Sequence, residues 1–505
     1  MNAQPIPLGC AFVCMKFPEG RGCRGRETPF QRGLSPPASK RLYEVKMEEN
    51  KMGTMGIGKL VFSMSLPMMI SMIVQALYNV VDSVFVAKIG EDALTAVSLA
   101  FPMQNFMIAV CTGTGVGVNA LLSKRLGMKD SDGANRVANN GVYLAAFSYV
   151  LFLLAGLFVA EPFFRLQNDT QTIVDGGITY LRIVMCGSFG LCAQIIMERL
   201  VQSTGRTVIA MITQGIGALI NIVLDPVMIF GLLGCPALGI AGAAYATIIG
   251  QIAAAVLGVI LNQVCNKEIS VNPVKYRPDL KTIGHIYAIG VPSIIMQSIG
   301  SVMTVGMNKI LYTFSSTAQA VFGVYFKLQS IIFMPVFGLN NGLVPIIAYN
   351  YGAQKKDRMM RTIKVGCIWA VSIMLVGMAV MEFFPEVLLG FFEASEYMVE
   401  IGVPALRIIC ISFIFAGFCI TVGSVFQALG NGVYSMVVSA TRQLCVLLPV
   451  AYLMSLTGNL DLVWLSFPIA EIASVGLTLF FFHRIYKKVI RHVGEASFVA
   501  EINRE

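Results

Sequence analysis

Long apolar runs follow one another along almost the whole chain and limit what it can fold into. Spanning a bilayer takes about 20 apolar residues, and about twelve runs reach that length. They cover residues 60–87, 93–122, 137–160, 172–200, 207–232, 238–262, 283–313, 318–347, 362–384, 398–428, 432–455 and 460–484. Soluble domains average about 25% charged residues, whereas this 505-residue chain has 13% charged and 56% hydrophobic residues. The sequence therefore predicts an all-α integral membrane protein with about twelve transmembrane helices.

The loops between the runs alternate in charge. Basic residues crowd the segment before the first run and the loops at 124–136, 267–281, 355–364 and 484–491, whereas the alternate loops carry few of them. Cytoplasmic loops carry an excess of Lys and Arg. This pattern predicts an even number of spans with both termini in the cytoplasm. The net charge of +9 is explained by these loops and does not indicate a nucleic-acid partner.

The chain also repeats itself at a shift of 225 residues. The repeated positions include polar residues, glycines and prolines, which coincide by chance less often than apolar residues do in this composition. Among them are Pro67 and Pro292, Gln104 and Gln329, Gly113 and Gly338, Gly117 and Gly342, Gly127 and Gly352, Asp132 and Asp357, and Gln202 and Gln427. Each copy holds about six spans, so both copies enter the membrane in the same orientation. The sequence predicts two six-helix lobes related by a parallel repeat, an architecture typical of transporters.

This repeat sets the expected domains. Residues 47–265 form the first lobe, 266–281 a cytoplasmic linker, 282–490 the second lobe and 491–505 a cytoplasmic tail. Residues 1–46 are rich in Pro, Gly and Arg without apolar periodicity, which predicts a disordered and dispensable extension. Met47, Met52 and Met55 are candidates for an alternative translation start.

The first apolar run carries an acid, Asp82, well inside it. A charged side chain at the bilayer centre costs about 2.5–3.5 kcal/mol on insertion scales, so such an acid marks a functional site. Tyr78 lies one turn earlier on the same helix face. Pro67 removes a backbone donor and predicts a place where this helix bends, and Pro292 does the same in the second copy.

A second intramembrane acid, Asp225, shares a helix face with Asn221, and Thr247 adds a hydroxyl in the next run. A group of carboxylates, an amide, a phenol and a hydroxyl in a low dielectric can bind a proton or coordinate Na⁺, and both ions remain open. At a shift of 225 residues, apolar side chains stand opposite both acids. The predicted ion-coupling group therefore belongs to the first lobe alone.

Other polar residues in the runs are candidates for a substrate cavity. They are Gln75, Glu198, Gln297 and Asn308. For Glu198 the alternative is an ion pair with its neighbour Arg199. No DDxxD, HExxH or GxSxG pattern is present, so an enzyme is not expected, and neither is a cofactor or a metal other than Na⁺ at the acids.

Several motifs together resemble the MATE family of multidrug and toxic compound extrusion transporters, in particular the bacterial branch with the MepA-type and DinF-like proteins. They are LYNVVDSVFVAKIG at 77–90, GTGVGVNALLSKRLG at 113–127, RLVQSTG at 199–205, NIVLDPVMIFG at 221–231 and GIAGAAYATII at 239–249. The resemblance covers the chain from Lys59 to about Lys488. It implies a MATE/MOP-type transporter fold and matches Asp82, Tyr78, Asn221, Asp225 and Thr247 to the family's coupling residues.

The resemblance also implies an activity. The chain is expected to be a multi-pass protein of the bacterial inner membrane that exports cationic or amphipathic compounds by alternating access, in exchange for H⁺ or Na⁺, as a monomer. The second-lobe acid of some sodium-coupled members has no evident counterpart here. The alternatives are a lipid-linked oligosaccharide flippase of the same superfamily and, from another class, a membrane-embedded enzyme.

Overall fold

The computed structural model describes residues 50–167, 169–392 and 395–495, and these are almost entirely helical. The first half contains α1 (Lys51–Thr54), α2 (Ile57–Ala87), α3 (Glu91–Gly127), α4 (Ser131–Phe158), α5 (Ala160–Arg165), α6 (Gln171–Cys186), α7 (Phe189–Ser203), α8 (Thr207–Phe230) and α9 (Ile240–Cys265). The expected extension at 1–46 and most of the expected tail lie outside the described residues, and the predicted domain boundaries remain predictions.

The second half begins after a loop and contains a similar series. It consists of α10 (Leu280–Tyr312), α11 (Ser316–Gly352), α12 (Lys356–Phe383), α13 (Pro385–Gly390), α14 (Glu396–Cys410), α15 (Phe413–Ala428), α16 (Gly432–Ala440), a π-helical segment (Thr441–Leu447), α17 (Leu448–Ser455), α18 (Leu460–Trp464) and α19 (Ser466–Lys488).

These helices account for the predicted spans. Ten stretches of the described chain are each long and apolar enough to cross a membrane. Two further spans are bent pairs, α6 with α7 at 44° and α14 with α15 at 46°. Counted as one span each, they bring the total to twelve and confirm the predicted number. The runs at 172–200 and 398–428 are thus each broken near the middle, which their apolar pattern does not indicate.

The two halves repeat element by element at the predicted shift. α3 and α11 have the same length and begin 225 residues apart, and the same holds for α4 and α12 and for α5 and α13. The breaks in the two bent spans also correspond. This agreement confirms the parallel internal repeat of two six-helix lobes.

The lobes meet through four long helices, α2 and α3 of the first lobe and α10 and α11 of the second. A Cβ atom built on Gly127 would lie 2.0 Å from the carbonyl oxygen of Tyr349, and one built on Gly352 would lie 2.1 Å from that of Lys124. Both contacts are with backbone atoms, and they are equivalent under the repeat. Only glycine permits this approach of α3 to α11.

The other repeated glycines lie at the same interface. Cβ atoms there would approach the facing helix within 2.5 Å at Gly113, 2.2 Å at Gly117, 2.5 Å at Gly338 and 2.5 Å at Gly342. The repeated glycines are therefore explained by close packing of the lobes.

The interface is concentrated toward one end of the bundle. The helix α2 begins at this end, and α3 and α11 finish there. The end of the described chain lies there too, because Gly494 N donates to Oε1 of Gln354, which lies just after the end of α11, at 2.8 Å. We call it the terminal face and the opposite end the distal face. The six interface glycines lie in the halves of α3 and α11 nearest the terminal face. In α2, none of residues 72–85 is buried, so the distal half of this helix is less enclosed by protein.

The start of α10 has a capping acid outside the membrane-spanning part. Asp279 Oδ2 accepts from the Thr282 hydroxyl at 2.6 Å and from Thr282 N at 3.1 Å, and Oδ1 accepts from Lys281 N at 3.2 Å. These hydrogen bonds, that of the Thr282 hydroxyl foremost, lower the pKa of Asp279 below its ordinary value. The cap therefore stabilises the fold above the ordinary pKa, and this stabilisation is lost as the pH falls through the lowered pKa.

Replacing this cap should destabilise the protein measurably. Asp279→Ala removes the acceptor, which costs about 1 kcal/mol, whereas Asp279→Asn keeps an acceptor oxygen and should lose less. Thermal unfolding of the purified protein in detergent at neutral pH checks this. An unchanged unfolding temperature for Asp279→Ala would show that the cap contributes nothing.

Candidate functional site

Three helices of the first lobe bring the predicted coupling residues together. α8 packs against both α2 and α9. Asn221 lies between its two predicted partners, since its Nδ2 donates to Asp225 Oδ1 at 3.4 Å and to Thr247 Oγ1 at 3.3 Å. Asp82 of α2 lies close enough to Asp225 for the two charges to interact, and Tyr78 is close to both acids. The five residues form one group, called here the coupling group after its predicted role.

The group has more acceptors than donors. Asp225 is fully buried and Asn221 is 3% exposed. One oxygen of each of three side chains, namely Asp82 Oδ1, Asn221 Oδ1 and Asp225 Oδ2, is buried without a hydrogen-bond partner among the described residues. An unpartnered buried oxygen is costly, and three together need a donor or a cation. This arrangement is suited to binding a positive ion.

The structure adds two residues that the sequence analysis did not place in the group. Tyr180 of α6 is 2% exposed and lies near Asp82, Asp225 and Tyr78. Its hydroxyl accepts from Gln104 Nε2 of α3 at 3.1 Å. Tyr180 lies in an apolar run and is not part of a recognisable motif, so the sequence did not indicate it. The one sequence feature that pointed to this region was its partner Gln104, a repeated polar residue inside another apolar run.

Gln75 joins α2 to α8. Its Oε1 accepts from Gln214 Nε2 at 2.9 Å, and Gln214 Oε1 in turn accepts from the Ser71 hydroxyl. These bonds lie on α2 before Tyr78 and fix this part of α2 against α8. Gln75 therefore has a partner of its own within the lobe, and its predicted part in a substrate cavity remains a prediction.

Glu198 and Arg199 do not form an ion pair with each other in the described structure. Glu198 is 9% exposed and accepts from Gln194 Nε2 at 2.9 Å. Arg199 Nη1 donates to Gln202 Oε1 at 2.9 Å and, across the lobe interface, to Asn341 Oδ1 of α11 at 3.0 Å. The structure thus places this pair beside the lobe interface, with no described contact to the coupling group.

The remaining candidates lie in the second lobe. Gln297 and Asn308 are half-buried on α10, and their side chains make no hydrogen bond within the described residues. The structure does not bring them to the acids. The second lobe instead holds a charge pair of its own, in which Arg442 Nη1 donates to Glu471 Oε1 at 2.6 Å. The acid group of the first lobe is not repeated, as the sequence predicts.

The predicted bending sites lie inside continuous helices. α2 runs through Pro67 and α10 through Pro292 without a break. Pro67 leaves the carbonyl of Ser63 without its helical partner, and the Thr207 hydroxyl of α8 donates to that oxygen at 3.4 Å. Bending at either proline remains a prediction.

Comparison with known proteins identifies the family. The MatE family model matches residues 67–227 and 292–453. The second match begins 225 residues after the first, at the shift of the internal repeat. The chain belongs to the MatE family. This confirms the resemblance seen in the sequence motifs and accounts for the two-lobe architecture.

Individual relatives match over most of their length. This MatE chain is 27% identical over 452 residues to multidrug export protein MepA of Staphylococcus haemolyticus, covering 88% of this chain and 96% of that protein. It is 26% identical over 415 residues to MepA of Staphylococcus aureus strain NCTC 8325, covering 82% and 90%.

Solved structures show the same fold. An outward-facing multidrug resistance MATE family transporter of the MOP superfamily superimposes with a TM-score of 0.81 at 25% identity, over 86% of this chain and 96% of that one. MATE in complex with MaL6 gives a TM-score of 0.82 at 24% identity, over 87% and 98%. The MatE chain therefore has the MATE/MOP fold.

The kinds of atom in the coupling group limit which ions it can bind. Among residues 50–167, 169–392 and 395–495, no three His, Cys, Asp or Glu side chains come together as metal ligands. The group offers carboxylate, amide and hydroxyl oxygens, which suit a proton or a hard cation better than a transition metal. In this MatE protein Asp82, Asn221, Asp225 and Thr247 would be the residues to hold such an ion.

Proposed function

We propose that this MatE chain is a multidrug efflux antiporter that exports organic cations in exchange for H⁺ or Na⁺ by alternating access. The observation that carries the proposal is the three unpartnered oxygens of Asp82, Asn221 and Asp225, buried together in one lobe. Family membership and the MepA relatives support export of drug-like compounds.

The coupling group performs the exchange through its charge. When Asp82 and Asp225 are both ionised, the first lobe is negative and attracts a cationic substrate. A proton or Na⁺ entering from outside neutralises the group and occupies its open oxygens, with Tyr78, Thr247 and Asn221 around it. The attraction for the substrate then falls, and the substrate is released.

Both alternative functions fit less well. A flippase for a lipid-linked pyrophosphate needs a cationic cavity, whereas the group at Asp82 and Asp225 is acidic. A membrane-embedded enzyme needs a catalytic motif, and the sequence contains none of those considered above. We therefore propose a transporter without catalytic activity.

An efflux assay in inverted vesicles tests the function. An H⁺ gradient and a Na⁺ gradient are imposed separately, and accumulation of a fluorescent organic cation inside the vesicles is followed. Accumulation driven by one gradient, and absent from vesicles without the protein, is expected and also identifies the ion. A lack of accumulation with either gradient would contradict the proposal.

The orientation of the bundle gives a second test. We propose that the terminal face is cytoplasmic, because its loops are the basic ones. Ser316 opens α11 at the distal face and Asp357 lies in the first turn of α12 at the terminal face, and both are exposed. The background chain has Ser in place of Cys10, Cys14 and Cys23 and in place of Cys235 and Cys445, the exposed cysteines of the described residues. On this background an impermeant maleimide should label Ser316→Cys but not Asp357→Cys in intact cells.

Permeabilisation should then make Asp357→Cys reactive. The background chain without the new cysteines is the control. Labelling of Asp357→Cys but not Ser316→Cys in intact cells would contradict this orientation, because it would show that the distal face is the cytoplasmic one.

A further inference from the structure

A short segment ahead of the first span bridges the two lobes at the terminal face. We propose that residues 50–55, called here the strap, fasten the lobes together there and determine how readily that face opens during transport. The proposal rests on the proposed alternating access. It concerns residues outside the coupling group and gives them a positioning role.

The strap binds the second lobe through its backbone carbonyls. Met52 O accepts from Asn350 Nδ2 and from Arg358 Nη2, both at 3.1 Å, and Met55 O accepts from Arg358 Nη2 at 2.7 Å. Gly53 O accepts from Lys355 Nζ at 3.0 Å. Three of these four bonds have a charged donor, and such bonds are shorter and stronger than neutral ones. The Met52 side chain is also fully buried.

The same segment binds the first lobe and the start of the linker through Asn50. Its Nδ2 donates to Thr204 O at 3.1 Å and to Glu268 Oε2 at 2.7 Å, and its Oδ1 accepts from Met52 N at 2.9 Å. A Cβ atom on Gly205 would lie 3.1 Å from Lys51 Cε. The strap therefore lies across the turn between α7 and α8, and Asn50 holds both this turn and the segment after α9.

The charges around the first-lobe contact support a well-packed site. Burial raises the pKa of Glu268, while the hydrogen bond from Asn50 and the charges of Arg206 and Lys51 act in the opposite direction. Burial and the charge of Arg206 lower the pKa of Lys51, and Glu268 opposes them. Lys51 and Glu268 thus each have a burial cost and an opposite charge nearby that offsets it.

The second lobe has a related arrangement before its own first helix. In the segment ahead of α10, Ser270 N donates to Asn135 Oδ1 at 2.7 Å, Ser270 O accepts from Asn139 Nδ2 at 2.9 Å, and Pro273 O accepts from the Tyr143 hydroxyl at 2.6 Å. These contacts are with α4 of the first lobe. The segment before each lobe's first helix thus binds the opposite lobe.

The two segments differ in one physical respect. The segment ahead of α10 is a covalent connection between the lobes and stays between them in every state. The strap is joined covalently to the first lobe alone, through Gly56 and α2. Its bonds to Arg358, Lys355 and Asn350 must break if the lobes separate at the terminal face. The strap therefore favours the state that is closed there.

Arg358 is the residue to change. Arg358→Met keeps the apolar stem and removes the three hydrogen bonds of the guanidinium, to Met52 O, Met55 O and Asn350 Oδ1. Arg361→Met is the matched control, because Arg361 is exposed on the same helix and makes no hydrogen bond or ion pair within the described residues. Asn50→Ala tests the first-lobe contact separately and keeps the proposal testable if Arg358→Met folds poorly.

Two shortened chains complete the set. A chain that begins at Met47 keeps the strap, and one in which the initiator Met is followed by Gly56 lacks it. The first should behave like the full chain, in keeping with the prediction that residues 1–46 are dispensable. The second should behave like Arg358→Met.

The main measurement is the distance between the lobes at the terminal face. Spin labels at Asp132→Cys and Asp357→Cys report it, since these exposed positions are equivalent under the repeat and lie in different lobes. We expect Arg358→Met, Asn50→Ala and the chain without the strap to increase the population of the longer distance. For Arg358→Met the increase should be at least about tenfold, the effect of losing even one charge-assisted hydrogen bond. Arg361→Met should leave the distances unchanged.

Vesicle export is measured in parallel and separates this inference from the proposed function. If the unsubstituted chain does not export under any gradient, the proposed function fails. If it exports, and the distances and export rate are the same in Arg358→Met, Asn50→Ala and the chain without the strap, the role of the strap is wrong. Slower export together with longer distances supports it.

Discussion

Asp82→Asn should reach the membrane in normal amounts and show no export above that of vesicles without the protein. The asparagine has nearly the same shape as the aspartate but carries no charge. The group then keeps only the carboxylate of Asp225, so its negative charge is halved and it no longer offers two carboxylates to an entering ion. Gradient-driven accumulation of a fluorescent cation in inverted vesicles measures the effect, and an immunoblot of the membranes measures insertion.

Asp461→Asn is the control for this substitution. Asp461 is an exposed acid in α18 at the distal face, so its neutralisation changes the net charge equally without touching the coupling group. It should export at the normal rate. Full export by Asp82→Asn would contradict the proposed coupling role.

The two acids should behave as one site. Asp82 and Asp225 lie close enough for their charges to interact, and residues that interact do not contribute independently. The double variant with Asp82→Asn and Asp225→Asn should therefore export no less than the more damaging single variant. Partial defects that add up in the double variant would show two separate sites.

The membrane potential limits how the exchange can be driven. An inward-moving charge gains about 2.3 kcal/mol per 100 mV, and a singly charged substrate moving outward loses the same amount. An exchange of one ion for one such substrate is therefore driven by the concentration gradient of the ion alone. The export of a dication needs two monovalent ions for each substrate to offset the potential, and more than two to gain from it.

Local patterns were sufficient to predict the spans and the lobes. A hydrophobic run directly indicates a segment that lies in the lipid, and the repeat is found by comparing the chain with itself. The same patterns placed Asp82, Asn221 and Asp225, because an acid in an apolar run is rare enough to stand out. That Asp82, Asn221 and Asp225 lie together could thus be predicted from helix spacing and family motifs without knowledge of the packing, and their coupling role stays a prediction.

Features that depend on contacts between distant segments could not be predicted in this way. Tyr180 reaches the coupling group only through the packing of α6, and Gln75 is bound by Gln214, which comes 139 positions later in the chain. The strap is a short polar segment in the sequence. Its role depends on Arg358, which lies more than 300 positions away.

Gly127→Ala and Gly352→Ala should each strongly reduce export without preventing insertion. The added methyl carbon would lie 2.0 Å or 2.1 Å from a carbonyl oxygen of the facing helix, far inside the usual contact distance. Neither backbone can move aside without shifting a whole helix, so α3 and α11 must separate at the terminal face. The state closed at that face becomes less populated, and the cycle slows.

The helix propensity of alanine would by itself stabilise α3 and α11, so it cannot explain the loss of export that we expect. Alanine favours a helix over glycine, by up to about 1 kcal/mol in a helix interior, so a loss of export cannot come from weaker helices. Gly323→Ala is the matched control, because it lies in α11 as Gly352 does and a Cβ there meets nothing within 4 Å.

The expected pattern has two parts. Gly323→Ala should export normally, and Gly127→Ala and Gly352→Ala should be impaired to a similar degree, because the repeat makes their contacts equivalent. Spin labels at Asp132→Cys and Asp357→Cys should report a longer distance in both impaired variants. Normal export and an unchanged distance in either variant would show that the lobes do not need this contact, and that the repeated glycines are retained for another reason.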